Sequence, residues 1–270
     1  MKYLSVILLT IILQAVAVPS FAFIAERRAE AVQVAIVQDS GSPLPGIPYR
    51  MTRIGGTAVI KSYLEARKGE QYGIVVRNRT PQRIGVVIAV DGRNIISGQK
   101  SDLTSREEMY VLAPYESAQL DGWRTAQDTV HRFYFTEPSD SYSMQTFHDS
   151  SAMGVIAVAA FREKQPVRIL RERAKKEQMM GSPEAAGSMN KSRSESAYDG
   201  AGTGFGDAHY SPITRVAFTP EANPFQKNLI KYEWRQTLCR QGVISCAQKP
   251  RNRLWDEERY APYPPGHAGR

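Results

Sequence analysis

The stretch 83-RIGVVIAVDGRNIISG-98 carries the decision about fold. Ile84, Val86, Ile88 and Val90 fall on one side of an extended chain, with Arg83, Gly85, Val87 and Ala89 on the other, because side chains alternate across a strand. The run stops at Asp91-Gly92 and resumes at Ile95. A type I′ turn needs positive φ at both central residues, and Asp-Gly tolerates this best, so the stretch reads as a β-hairpin. The rival is a cation site using Asp91 and Asn94. A calcium loop needs oxygens at alternate positions and a distal Glu. Here Gly92 and Arg93 occupy that space, and the Arg93 charge repels a cation. The turn is preferred, and no metal ligand is assigned.

The same alternation extends both ways. Val32, Val34 and Ile36 alternate with Gln33 and Ala35, and Tyr72, Ile74 and Val76 with Gly73 and Arg77. Beyond the hairpin come EMYVLAP, SAQLDGW, TVHRFYF and MGVIAVAAF. Val32 to Phe161 thus reads as short strands, and no stretch there sustains a helical repeat. NRTPQ at 78–82 joins two strands, while Pro114 and Pro138 mark strand ends because proline cannot donate to a ladder. The expected fold is all-β, an antiparallel β-sandwich or jelly-roll-like domain over residues 23–162.

After Phe161 the composition shifts. Residues 163–205 read as a charged helix followed by a Gly/Ser-rich flexible linker, the linker proper covering roughly 177–204, where there is little to bury. Residues 206–260 read as a small α+β segment, and 261–270 as a disordered tail. ITRVAFT and LIKYEW look like strands, with Ile230, Tyr232 and Trp234 on one face, and RQTLCRQG looks like a helix capped by Gly242. This segment is small for a domain, and packing back onto the first sandwich is the alternative.

Residues 1–22 read as a signal peptide: Lys2, then the uncharged run Tyr3 to Val18, then Pro19 and the small-x-small site Ser20-Phe21-Ala22. A retained membrane anchor is the rival, opposed by Gln14 within the run and by Pro19. Cleavage removes one lysine and no acid, so the net charge of +8 becomes +7, on 248 of the 270 residues. That charge suits anionic lipid, an acidic envelope polymer or nucleic acid, and export disfavours the last. The expected location is periplasmic or secreted, without a membrane span after cleavage. Cys239 and Cys246, in CRQGVISC, are expected to form a structural disulfide in that oxidising compartment.

Few residues suggest chemistry. A second Asp-Gly occurs in 119-QLDGWRTAQ-127, followed by Trp123 and Arg124. An aromatic and a cation at a loop tip can contact a sugar or a protein, so Asp121, Trp123 and Arg124 are the candidate binding residues. The competing reading has Trp123 closing the end of the sandwich. His131 shares strand parity with Phe133 and Phe135, and His148 precedes Asp149 and Ser150, but neither sits in a nucleophile motif. GAGTGFG at 200–206 lacks the ending of a phosphate loop and follows a linker rather than a strand. The basic residues Arg168, Arg171, Arg173, Lys175 and Lys176 are interrupted by acids and read as a solvated helix.

YGIVVRNRTPQRIGVVIAVDGRNIISG, YVLAPYESAQLDGWR, VHRFYFTEPSDSYS, MGVIAVAAF and GTGFGDAHYSPITRVAF together resemble a group of exported bacterial proteins with a β-sandwich-like core. The resemblance spans most of the mature chain and implies export and an all-β core. It implies no activity or catalytic residue. The expectation is therefore a non-enzymatic binding or structural module whose partner is an envelope protein or polysaccharide, with no cofactor, no metal and no nucleic acid. The rival is a periplasmic or secreted hydrolase using His131 or His148 with a nearby acid.

Overall fold

The computed structural model describes residues 30–164 and 200–246. Its strands are β1 (Val32–Gln38), β2 (Gly46–Ile54), β3 (Thr57–Ala66), β4 (Gln71–Asn78), β5 (Ile84–Val90), β6 (Arg93–Asn94), β7 (Tyr110–Leu112) and β8 (Ser117–Leu120). They continue with β9 (Gly122–Arg124), β10 (Thr129–Thr136), β11 (Val155–Arg162), β12 (Gly202–Thr203), β13 (Ala208–Tyr210) and β14 (Gln226–Trp234). Two short helices, α1 (Tyr142–Phe147) and α2 (Arg235–Arg240), complete the described chain. The expected signal peptide, most of the expected linker with its basic stretch, and the expected tail lie outside the described residues.

The architecture is an all-β sandwich. One sheet runs β1-β4-β10-β12, with β8 on β4 and with β9 and β13 on β10. The other runs β2-β3-β14-β11-β5-β6, with β7 on β5. Between them lies an aromatic and aliphatic core. Tyr72 stacks on Phe135 at 4.3 Å and on Phe133 at 5.3 Å, and Phe135 meets Tyr232 across the sheets at 5.2 Å.

The opening stretch forms the hairpin that its alternation implies. Asp91 and Gly92 have φ of 49° and 76°, and Val90 pairs with Arg93. Every residue of β5 is buried. Ile84, Val86, Ile88 and Val90 enter the main core, and Val87 joins Ala159 and Phe161 in a second cluster under Leu103 and Met109. The loop covering that outer face explains why both faces of the strand are apolar.

The C-terminal segment is not a separate unit. β14 lies inside the second sheet, parallel to β3 and antiparallel to β11, so the sheet departs from pure antiparallel pairing at its centre. Ile230 and Tyr232 face the core as read, and α2 ends in a Gly242 at φ 71° whose N–H bonds Cys239 O at 2.9 Å. Residues 200–205, assigned to a linker by their composition, are also built in. Ala201, Gly202, Thr203 and Gly204 are buried, and β12 pairs with Phe135 and Thr136. Their small size is a packing requirement rather than a sign of flexibility. A Cβ on Gly204 would run into the Tyr134 ring, and one on Gly202 would lie 2.8 Å from Ser141 Cβ.

Two further readings change. ITRVAFT forms no strand; residues 211–219 cross from one sheet to the other as a strap. Helix α1 also interrupts the strands, capped by Ser141. Its six residues are too few to display a periodicity.

Gln226 joins the two sheets at an edge. Its side-chain amide accepts from Val32 N–H at 3.1 Å and donates to Val32 O at 2.5 Å, copying the two bonds of a neighbouring strand. Cys239 and Cys246 are paired, with Cα atoms 5.0 Å apart.

Candidate functional site

The hairpin turn at Asp91 is more than a turn. Asp91 is 1% exposed, and its carboxyl accepts from Gly154 N–H at 2.8 Å, Thr203 N–H at 2.7 Å and Tyr232 OH at 2.5 Å. Thr203 Oγ1 links onward to the hydroxyls of Tyr232 at 2.7 Å and Tyr72 at 2.8 Å. One carboxyl thus ties β5, β11, β12 and β14 together, and its chain of hydroxyls reaches β4. Burial pushes this carboxyl up to about 6, while hydrogen bonds from Tyr232, Thr203 and Gly154 oppose the shift. Burial likewise raises the hydroxyls of Tyr72 and Tyr232 well above their ordinary value.

Its neighbours are equally committed. Arg93 donates to Asp149 at 2.7 Å, and its guanidinium lies 4.0 Å from the Phe147 ring centre. Burial alone would raise Asp149; hydrogen bonds from Ser151 and the charges of Arg93 and Lys100 outweigh it and hold this carboxyl low. Asn94 accepts from Ile96 N–H at 2.9 Å and donates to Glu108 O at 2.9 Å. Among the described residues, no group of three or more His, Cys, Asp or Glu side chains is placed to hold a metal.

The Asp121–Trp123–Arg124 triplet is not an exposed loop tip. Neither Asp121 nor Gly122 has positive φ, so this Asp-Gly is no type I′ turn. It is a bend at which the chain leaves β4 as β8 and joins β10 as β9. Gly122 is needed because a Cβ there would fall on the His131 carbonyl. Trp123 is 2% exposed, meets Phe133 edge-on at 5.3 Å, and donates its indole N–H to Gly204 O at 2.9 Å. Burial removes it from any recognition surface, which corrects the expectation of a stacking aromatic. Asp121 accepts from Gln119 Nε2 at 2.8 Å. Arg124 donates to Tyr110 OH at 2.9 Å, Ser211 O at 2.9 Å and Ser211 Oγ at 3.2 Å.

Those Arg124 bonds nevertheless lead to a site. Beside them the two sheets diverge around a groove of about 970 Å³. β7 and β8 are joined by a tight turn, in which Glu116 N–H bonds Ala113 O at 3.2 Å, and Tyr115 takes φ of 61°. They do not pair with each other. β7 pairs with β5 of one sheet, and β8 with β4 of the other. The buried Asn78 holds their turn in place, donating to Ala113 O at 2.8 Å.

Antiparallel ladders bond every second residue on each side. Asn78 N–H bonds Glu116 O, so β8 faces β4 through Glu116, Ala118 and Leu120. Ile95 N–H bonds Ile88 O, so β7 faces β5 through Tyr110 and Leu112. The N–H and C=O groups of Val111, Ser117 and Gln119 therefore point away from their sheets, and all three residues line the groove.

The strap closes one side of this groove. Ser211 N–H bonds Asp128 O at 2.7 Å and Ile213 N–H bonds Gln127 O at 3.0 Å; at the far end Arg83 holds Ala217 O at 2.9 Å. Thr214, Arg215 and Val216 span the middle without a hydrogen bond among the described residues. Sequence reasoning found Arg124 but missed the groove, because an unpaired strand edge leaves no mark on side-chain alternation.

His131 and His148 lie apart from the groove. His131 stacks on Phe205 at 4.1 Å with Nδ1 2.8 Å from Gly206 O, and His148 caps α1 with φ 52°. Neither makes a hydrogen bond to a carboxylate or a hydroxyl among the described residues. No helix among them is long and apolar enough to cross a membrane. No protein-family model, curated protein or solved structure matches this chain.

Proposed function

We propose that the protein is an exported, non-catalytic β-sandwich module of the cell envelope that takes an extended segment of an envelope protein into the groove. The observation carrying this reading is the pair of open strand edges at β7 and β8 lining one groove. Main-chain donors and acceptors at Val111, Ser117 and Gln119 give an added strand its bonds, while the half-buried Tyr110 and Ala118 flank it. A saccharide ligand is supported less, because the aromatic expected to stack on it is buried.

The test is a photo-cross-linking residue placed at Gln119 in producing cells, with Lys68, on the exposed far surface, as control. A discrete polypeptide adduct from position 119 and none from 68 is expected. Equal adducts from both positions, or none from 119, would overturn the proposal. So would turnover of ester, peptide or glycoside substrates by the purified chain.

A further inference from the structure

A second surface of different chemistry lies at the opposite edge of the second sheet from β7. β2 and β3 form a long hairpin whose tip, Gly55-Gly56, has φ of 55° and 85° and open space around both residues. Its β2 strand is among the most exposed in the sandwich, with only intermediate or exposed positions. Tyr49 is 56% and Ile54 is 66% exposed.

Around the tip the charge has one sign; the hairpin's one acid, Glu65, lies at the far end of β3 and pairs with Arg235. Residues 41–64 contain Arg50, Arg53 and Lys61 and no Asp or Glu. None of the three makes an ion pair among the described residues; Arg53 donates to Gly56 O at 3.3 Å, and Arg50 lies 5.6 Å from the Tyr49 ring centre. By contrast, Arg132 and Arg235 are paired, with Asp39 and Glu65 respectively. Cross-strand register places the cations around the apolar tip. Arg50 pairs with Lys61 and Ile54 with Thr57, and these positions share one face, while Arg53 projects from the other.

We infer that this hairpin docks on an anionic lipid bilayer, with Ile54 and Tyr49 entering the interfacial layer and Arg50, Arg53 and Lys61 contacting headgroup phosphates. Charge complementarity selects an anionic partner. The exposed isoleucine between cations selects a bilayer over a dissolved polyanion, which offers no apolar phase to receive it. Strand addition by a second copy is the weaker match, because Pro48 and the irregular register between Pro48 and Arg50 interrupt the edge.

The experiment is sedimentation of the chain, as recovered from producing cells, with phosphatidylcholine vesicles containing or lacking about one third phosphatidylglycerol. Binding to the anionic vesicles alone, weakened by salt, is expected. Arg50→Glu with Arg53→Glu lowers it at least about ten-fold, each lost cation near the surface being worth about five-fold. Ile54→Trp gives a fluorophore at the tip whose emission shifts to the blue on anionic vesicles only. Circular dichroism of the variants reports the fold, which the exposed tip does not support.

Vesicle binding unchanged in the double variant overturns the inference. An unshifted tip tryptophan overturns it too, and, with soluble polyglutamate competing equally well, assigns the surface to a polymer. A concentration-dependent dimer abolished by the same substitutions assigns it to a second copy and overturns it likewise.

Discussion

At the scale of single residues, Asp91 shows how one side chain can serve two purposes. Its backbone makes the turn that the Asp-Gly pair announces, and its carboxyl anchors a buried network that the local sequence conceals. A partial signal was present: Tyr72 and Tyr232 lie on core faces, and a buried tyrosine hydroxyl needs a polar partner. Nothing in the sequence pointed to Asp91 as that partner, because the contacts span 63, 112 and 141 positions. Asp91→Asn would turn an amide N–H toward backbone donors, and a loss of about 2–4 kcal/mol in urea unfolding is expected. The carboxyl also sets a pH dependence. Its folded pKa of about 6 exceeds the ordinary 3.8, so the folded state holds the proton more tightly between these values. Its contribution is full below pH 4 and declines by about 3 kcal/mol as pH rises through 6. The wild-type stability curve should carry that fall, and the Asp91→Asn curve should lack it.

Among the elements, strands with a clean alternation were legible, whereas those whose form is set by neighbours were not. β1, β4, β5, β10 and β11 all lie where alternation places them. SAQLDGW read as one strand, yet it bends at Asp121 to serve two partners, a choice made by its neighbours rather than by its own residues. β12 was lost in a Gly/Ser-rich composition. Glycine there signals close approach, and composition alone cannot separate that from flexibility. Gly204→Ala decides between the two readings. A linker glycine tolerates alanine, while this one faces the Tyr134 ring, so a melting temperature lowered in line with about 1–3 kcal/mol is expected. The site residues belong to the same scale: Trp123 closes the core, while Arg124 holds the strap and lines the groove.

For the molecule as a whole, fold class was written in the strand periodicity, while chain order within the sheets was not. β14 enters the centre of the second sheet between β3 and β11, beside strands more than 60 residues earlier in the chain. A fragment ending at residue 164 would expose both strand edges and the apolar face of Ile230 and Tyr232's neighbours. It is expected to show no cooperative thermal transition by circular dichroism, whereas an independent domain ending there would melt cooperatively. The divergence of β7 and β8 is a property of this same arrangement: each is claimed by a different sheet, and the groove is the space between. The most direct measurement is residue-resolved amide exchange on the chain in an envelope extract against the purified chain alone. The N–H groups of Val111, Ser117 and Gln119 should exchange fast alone and slow markedly in the extract. Equal exchange at these three positions in both samples would contradict the account.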